Sequence, residues 1–354
     1  MADSRFGKSR RTTPWSSKNK EEMTLGEIIT ETSFMTDYQN RHPTFTTKDE
    51  VEAINGHTPN VCPYCGAEEF SKNGRDSQGI QRYLCLLCKR RFKPTTGTIF
   101  DSRRIPLSEW VRYLLNLFQF VSITADSWNS KTTFQTSSYW LKKVFLILEG
   151  YQNSIILRDT VWLDETFYSV IMREKTHNEG GELLRGLSQN QYCIGVATDK
   201  TQTVCFVEGM AKPSQRRTYT TFKNHIEPGS TLIHDKDNSH KMLVQNLGLK
   251  SVAYNANEIK TLPNAKNPLE PINHVHFLLK AFLNAHSGFN RDDLQGYLNL
   301  FTFILNPPTD HLEKVAKIFD LGFENPKTLR YRDLFGLDTD KYSPVCNRGL
   351  FSQS

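Results

Sequence analysis

Two aspartates that follow apolar segments are the first candidates for chemistry in this sequence. Asp164 comes after Val-Trp-Leu, and Asp235 comes after Thr-Leu-Ile-His. A carboxylate at the end of a hydrophobic strand lies at the rim of a sheet, where oxygen ligands can hold Mg²⁺. A metal pair there activates water or a hydroxyl group and stabilises a leaving oxygen. The alternative for each aspartate is an ordinary turn residue. Glu165 and Asp237 lie close enough to assist, and we favour a structural role for both.

A polar stripe on a predicted helix strengthens the case. Asn273, His276 and Lys280 fall at i, i+3 and i+7, on one helical face. Apolar residues on the opposite face are expected to pack on the sheet edge: Val275, Leu278, Leu279 and Phe282. The stripe is either part of a site or a solvated helix face.

Four cysteines form two knuckles. Cys62 and Cys65 are separated by two residues, as are Cys85 and Cys88. This spacing predicts a tetrahedral, structural Zn²⁺ site with no open position for catalysis. The segment between the knuckles is short and polar, so we expect it to need the metal to fold.

Basic residues surround the second knuckle and are candidates for phosphate contacts: Arg82, Lys89, Arg90, Arg91 and Lys93. For any single one of them, simple solvation is the alternative. Residues 1–20 and 59–105 each carry a net charge of +5, whereas the whole chain carries +6, so positive charge is concentrated towards the N-terminus. This distribution is typical of proteins that bind a polyanion.

A helical segment over 105–150 follows the knuckles. Leu107, Trp110, Val111, Leu114, Leu115 and Phe118 have the spacing of an amphipathic helix. The polar and basic residues of 132–143, including Lys142 and Lys143, suit the exposed face of a recognition helix. Plain helix packing explains the pattern equally well.

Strands and helices alternate after residue 158. The sequence predicts the order strand, hairpin, helix, strand, helix, strand, helix, with strands near 161–163, 192–197, 204–207, 231–234 and 251–254, and helices near 272–285 and 291–304. The predicted divisions are a disordered basic tail (1–21), a segment of unclear role (22–58), a zinc ribbon (59–100), the helical segment (105–150), an α/β domain (158–305) and a C-terminal tail (306–354).

Bulk composition sets the class. Apolar residues make up 38% and charged residues 23%, which is ordinary for a soluble globular protein. No apolar run is long enough for a membrane span, and the N-terminus lacks the apolar region of a secretory signal. We therefore expect a cytoplasmic, nucleoid-associated protein with reduced thiols.

From about 60 to 305 the chain resembles insertion-sequence transposases that join an N-terminal zinc ribbon to a DDE-type catalytic domain. The resemblance rests on the two knuckles, on Leu-Asp164-Glu-Thr and His-Asp235, and on the segment from Ile272 to Lys280. It implies an RNase H-like α/β core with a mixed sheet and flanking helices. Asp164 and Asp235 would be the first two acidic ligands for Mg²⁺ or Mn²⁺. The third acidic position falls on Asn273, with His276 as the second candidate, and Lys280 would contact phosphate.

The predicted function is a transposase that binds the terminal inverted repeats of a mobile element and catalyses metal-dependent cleavage and strand transfer. Water and a DNA 3′-hydroxyl would be the nucleophiles, and the resemblance implies a homo-oligomer on double-stranded DNA. The alternative is a catalytically inactive DNA-binding protein derived from a transposase, with Asn273 as the trace of the lost chemistry. A third possibility is a host nuclease without an element of its own.

Overall fold

The computed structural model describes residues 46–101, 105–130, 132–184, 186, 188–259, 261–325 and 327–335. These residues form two compact units, one of residues 46–147 with 315–335 and one of residues 148–314. The tail predicted over 1–21 lies outside the described residues, as do 22–45 and 336–354. No helix in the described ranges is long and apolar enough to cross a membrane.

The first unit combines a small sheet with helices. Its elements are α1 (Thr47–Gly56), β1 (Phe70–Arg75), β2 (Gln81–Cys85), β3 (Arg91–Phe92), α2 (Leu107–Phe118), α3 (Ile123–Asn129), α4 (Phe134–Leu148), α10 (His311–Glu324) and α11 (Tyr331–Phe335). The strands pair antiparallel in the order β1-β2-β3. The rings of Phe70, Tyr83 and Phe92 contact one another and fill the small core of this sheet.

Local hydrogen bonds fix the helices of the first unit. Thr46 and Asp49 form a reciprocal capping box at the start of α1. The buried carboxylate of Glu50 accepts a hydrogen bond from the backbone N–H of Leu107, which otherwise lacks a partner at the start of α2. The amphipathic helix predicted from Leu107 to Phe118 is confirmed, because its apolar face, with Trp110, is buried.

The second unit is an α/β layer structure. Its elements are β4 (Thr160–Ser169), β5 (Gln191–Thr198), β6 (Thr203–Met210), α5 (Gln215–Phe222), β7 (Thr231–Asp235), α6 (Lys241–Leu247), β8 (Lys250–Tyr254), α7 (Ala256–Ile259), α8 (Glu270–Ala285) and α9 (Leu294–Leu305). The sheet has five strands in the order β6-β5-β4-β7-β8. β4, β5 and β6 pair antiparallel, and β4, β7 and β8 pair parallel. The predicted order of strands, hairpin and helices is confirmed.

The two faces of this sheet receive different helices. Leu163 and its same-face neighbours form the main buried cluster with Phe222 of α5 and Leu243 of α6. The opposite face of β4 and β5 is covered by α8, and Trp162 on that face donates through Nε1 to the carbonyl of Pro268, just before α8. Because side chains alternate along a strand, successive residues of β4 serve opposite faces.

Candidate active site and cysteine site

Asp164 and Asp235 lie side by side on neighbouring parallel strands. Leu163 of β4 pairs with His234 of β7, so the next residue of each strand is an aspartate. Burial, and then the negative charges of Asp235 and Glu165, raise the pKa of Asp164 to about 7. Burial also raises the pKa of Asp235. Carboxylates in such surroundings are stabilised by a cation, so the pair has the chemistry of a divalent-metal site.

His276 of α8 approaches the aspartates from the helix side. Its Nδ1 lies 3.9 Å from Oδ2 of Asp164, and its buried Nε2 has no hydrogen-bond partner among the described residues. Burial, and then the charge of Lys280, lower the pKa of His276 to about 4. The ring is therefore neutral near pH 7 and keeps a nitrogen lone pair for a metal ion or a donor group.

Asn273 and Lys280 lie elsewhere on α8. Both are exposed, and within the described part of the chain the Asn273 amide makes no hydrogen bond to either aspartate. The expectation of one solvated stripe through Asn273, His276 and Lys280 is wrong at His276, which is only 8% exposed. Its ring turns towards the sheet because α8 packs directly on β4 and β5.

Behind the aspartates, the other face of the sheet holds a buried polar network. Nε2 of His240 lies 3.3 Å from Glu165, and its Nδ1 lies 2.9 Å from Nδ1 of His234 and 3.7 Å from Asp235. Ser239 donates to Glu165, and His234 bonds the Ser251 hydroxyl. Burial lowers the pKa of His240, but the hydrogen bond and charge of Glu165 outweigh it and raise that pKa overall. Burial lowers the pKa of His234 to about 4.

Sequence reasoning missed this network. The signal was present in strand alternation, because Glu165 must face away from Asp164 and into the core that Leu163 occupies. A carboxylate in that position needs a buried partner. His234, Asp235 and His240 also place their ligand atoms within 4.8 Å of one another, so they could hold a metal ion.

A further buried carboxyl group lies on the same face of the sheet. Glu208 of β6 accepts from the Thr218 hydroxyl through Oε2, while Oε1 has no partner among the described residues. Burial, and then the charge of Glu165, raise the pKa of Glu208 to about 7. The group fits only because residue 195 is glycine, since a Cβ there would collide with Oε1 and lie 2.8 Å from the Phe222 ring.

The four knuckle cysteines converge on one point. Sγ of Cys62 lies 3.7 Å from that of Cys88, and Sγ of Cys65 lies 3.6 Å from that of Cys85. A tetrahedron of thiolates around zinc, with Zn–S of about 2.3 Å, has edges of about 3.8 Å. Backbone N–H groups of Cys88 and Leu87 lower the pKa of Cys85 to about 6. The cluster can therefore bind zinc, as the spacing predicts.

The basic residues around the second knuckle differ in their surroundings. Lys89, Arg90 and Arg91 are exposed, and the Arg90 guanidinium lies over the Tyr64 ring. Lys93 contacts Asp76 at 2.5 Å, and this ion pair engages its ammonium group. The Nε of half-buried Arg82 has no hydrogen-bond partner among the described residues.

The helical segment corrects one predicted DNA contact. Lys143 is 5% exposed and donates to the carbonyl of Ile99, and burial lowers its pKa to about 8. The expected exposed helix face is therefore wrong at Lys143, because α4 turns this residue towards Trp110 and Tyr139. Its neighbour Lys142 is half-buried and already has an interaction partner.

Comparison with known proteins gives one short sequence match. The chain is 41% identical over 49 residues to an uncharacterised protein in transposable element ISH50 of Halobacterium salinarum. The match covers 14% of this chain and only 16% of that relative. No protein-family model matches the sequence.

Three solved structures share a distant likeness, each with a TM-score of 0.27. A pre-cleavage Mos1 transpososome is 9% identical and the match covers 60% of this chain and 75% of that chain. For the Mos1 strand transfer complex, the values are 12%, 62% and 76%. For a simian T-cell lymphotropic virus intasome in complex with PP2A regulatory subunit B56 gamma, they are 10%, 54% and 67%.

Proposed function

We propose that this chain is a DDE-type transposase whose RNase H-like core cleaves and joins DNA with Mg²⁺ or Mn²⁺. One observation carries the proposal: Asp164 and Asp235 meet on adjacent strands, and burial with mutual repulsion raises the pKa of Asp164 to about 7. The five-strand mixed order and the short similarity to a transposable-element protein support it.

The metal would be held by Asp164 and Asp235, with His276 as the third ligand. His276 fits this role better than Asn273, because it faces Asp164 and has an unpartnered buried nitrogen. Imidazole nitrogen favours Mn²⁺ over Mg²⁺, so this donor set should favour manganese. Bound metal ions activate the attacking oxygen and stabilise the leaving oxygen.

The protein residues have separate tasks in this scheme. Asp164 and Asp235 orient the metal site, and the Glu165–His240 pair behind them keeps the ends of β4 and β7 in register. Lys280, which is exposed on α8, would contact a phosphate of the bound strand. No side chain needs to act as a nucleophile, because water and a DNA 3′-hydroxyl can do so.

DNA recognition is assigned to the first unit. Zinc at the four cysteines would stabilise the ribbon, and exposed Lys89, Arg90 and Arg91 would contact phosphates. Arg82, Lys93 and Lys142 remain weaker candidates because each is partly buried. We propose a homo-oligomer that holds two element ends, located with the nucleoid in the cytoplasm.

An inactive DNA-binding protein is the second candidate. The observation that favours it is the third acidic position, where α8 offers Asn273 and His276 rather than a carboxylate. The test is cleavage of a plasmid that carries the gene's own flanking DNA, with Mg²⁺ or Mn²⁺. Nicks at a defined end that disappear in Asp164→Ala support the transposase, whereas binding without cleavage in either metal supports the inactive protein.

A further inference from the structure

An exposed aromatic side chain lies one residue beyond His276 on α8. Phe277 is 68% exposed, and in the described part of the chain no other ring stacks on it. A single exposed apolar side chain is ordinary by itself. Its surroundings give it a meaning, because Phe277 forms one wall of a hollow in the surface.

The hollow has a volume of about 360 Å³ and is lined by Asn264, Asn267, Glu270, Asn273, His274 and Phe277. Its rim is held by hydrogen bonds within the loop. Asn267 Oδ1 accepts from the N–H of Leu269, and the N–H of Glu270 donates to the Asn267 carbonyl. Trp162 on β4 donates to the Pro268 carbonyl, so the hollow is tied to the strand that carries Asp164.

The chemistry of the lining suits a flat, uncharged group with donors and acceptors on its edge. Three asparagine amides offer both N–H and C=O groups, and Glu270 adds an acceptor. The carboxylate of Glu270 would repel a phosphate, so the hollow is unsuited to the backbone of DNA. A nucleobase combines a π face for Phe277 with polar edge groups for the amides.

We propose that this hollow binds one unpaired nucleobase of the DNA strand whose phosphate lies at Asp164. Phe277 stacks on the face of the base, and the asparagine amides with Glu270 contact its edge. The inference rests on the proposed function for its choice of substrate, and it gives Asn273 a role in base contact rather than in metal binding.

The position of the hollow fits a base next to the reacting phosphate. His276, the neighbour of Phe277 in the chain, lies 3.9 Å from Asp164. Asn273 and Phe277, on one wall, are separated by about 6 Å along the helix axis, at 1.5 Å per residue. Unpairing a base costs least at a duplex end or in a single strand. The site would therefore favour frayed or single-stranded ends over continuous duplex.

The test uses the full-length protein and a short single-stranded oligonucleotide that contains 2-aminopurine, without Mg²⁺ or Mn²⁺. Stacking on Phe277 should quench the fluorescence of this base. Phe277→Ala should remove the quenching and weaken binding by about 5- to 100-fold, the usual effect of losing one base–aromatic stack. Phe277→Tyr should retain both. Leu312→Ala is the matched control, because Leu312 is 60% exposed in the same unit.

Three results would overturn the inference. The first is equal quenching by wild type and Phe277→Ala, or no quenching by wild type. The second is an equal loss of affinity for an abasic oligonucleotide in Phe277→Ala, which would place the effect on the backbone. The third is dissociation of an oligomer by Phe277→Ala, seen by sedimentation velocity, with the 2-aminopurine signal unchanged. That result would assign Phe277 to a contact between protein chains.

Failure of the proposed function would look different. Asp164→Asn should abolish cleavage while leaving the quenching intact, since the base site needs no metal. If the wild type never cleaves DNA but quenches through Phe277, the transposase proposal fails and base binding stands. If the wild type cleaves and Phe277→Ala behaves like it in both assays, only the base site fails.

Discussion

Replacing Asp164 with asparagine should stabilise the metal-free protein while abolishing its chemistry. In the fold, burial and the charge of Asp235 raise the pKa of this carboxyl group from 3.8 to about 7. The folded state therefore keeps a proton that the unfolded state has lost at intermediate pH. Stability falls as the pH rises from about 4 to about 7 and stays low above that range. The amide of the substituted side chain carries no charge, so the variant avoids this loss.

The size of the effect follows from the pKa. A change from 3.8 to about 7 corresponds to roughly 4 kcal/mol, at about 1.4 kcal/mol per tenfold change in the equilibrium constant. Because the Asp164 side chain is 24% exposed, water screens part of this energy. We expect Asp164→Asn to raise the free energy of unfolding by about 1–3 kcal/mol at pH 8, and by less at pH 5.

The assay is denaturant unfolding of both proteins at pH 5 and pH 8, in buffer without Mg²⁺ or Mn²⁺. Glu227→Gln is the control, since Glu227 is an exposed carboxylate in the same unit. Adding Mn²⁺ at about 100 times its Kd should stabilise the wild type by about 2.7 kcal/mol and leave the variant unchanged. A variant no more stable than wild type at pH 8, or equally stabilised by Mn²⁺, would refute the reasoning.

Four further substitutions test other parts of the structure. Cys85→Ser should abolish zinc binding measured by mass spectrometry of the native protein, whereas Cys193→Ser, a buried thiol in the other unit, should not. Gly195→Ala should lower the free energy of unfolding by about 1–3 kcal/mol because its Cβ has no room, and an unchanged denaturation midpoint would contradict the crowding seen there. His276→Ala should reduce the cleavage rate more in Mn²⁺ than in Mg²⁺, and equal losses would argue against a nitrogen ligand. Arg91→Ala should lower the slope of log K against log salt for DNA binding by about 0.9, and an unchanged slope would remove this residue from the interface.

The order of elements could be predicted from the sequence because local patterns encode it. Apolar runs before Asp164 and Asp235 marked the two parallel strands, and the cysteine spacing marked a cluster whose sulfur atoms do converge. These features depend on residues that are near one another in the chain or that end strands. They could be inferred without knowing which helix packs on which face.

The side-chain environment could not be predicted in the same way. His276 and Lys143 both lie on amphipathic helices, and their burial depends on the rotation of each helix against distant residues. The network of His240 with Glu165 joins positions far apart in sequence, through strand register and a turn after β7. Glu208 above Gly195 likewise depends on pairing between β5 and β6, which periodicity alone does not fix.

Strand transfer is the measurement that tests the central claim most directly. A labelled DNA end from the gene's flank, with its 3′-hydroxyl already exposed, is incubated with a target plasmid, the full-length protein and Mn²⁺. The account predicts covalent joining of that 3′ end to the plasmid, dependent on the metal and absent in Asp164→Asn. Binding of the end without joining by the wild type, or joining that persists in Asp164→Asn, would contradict it.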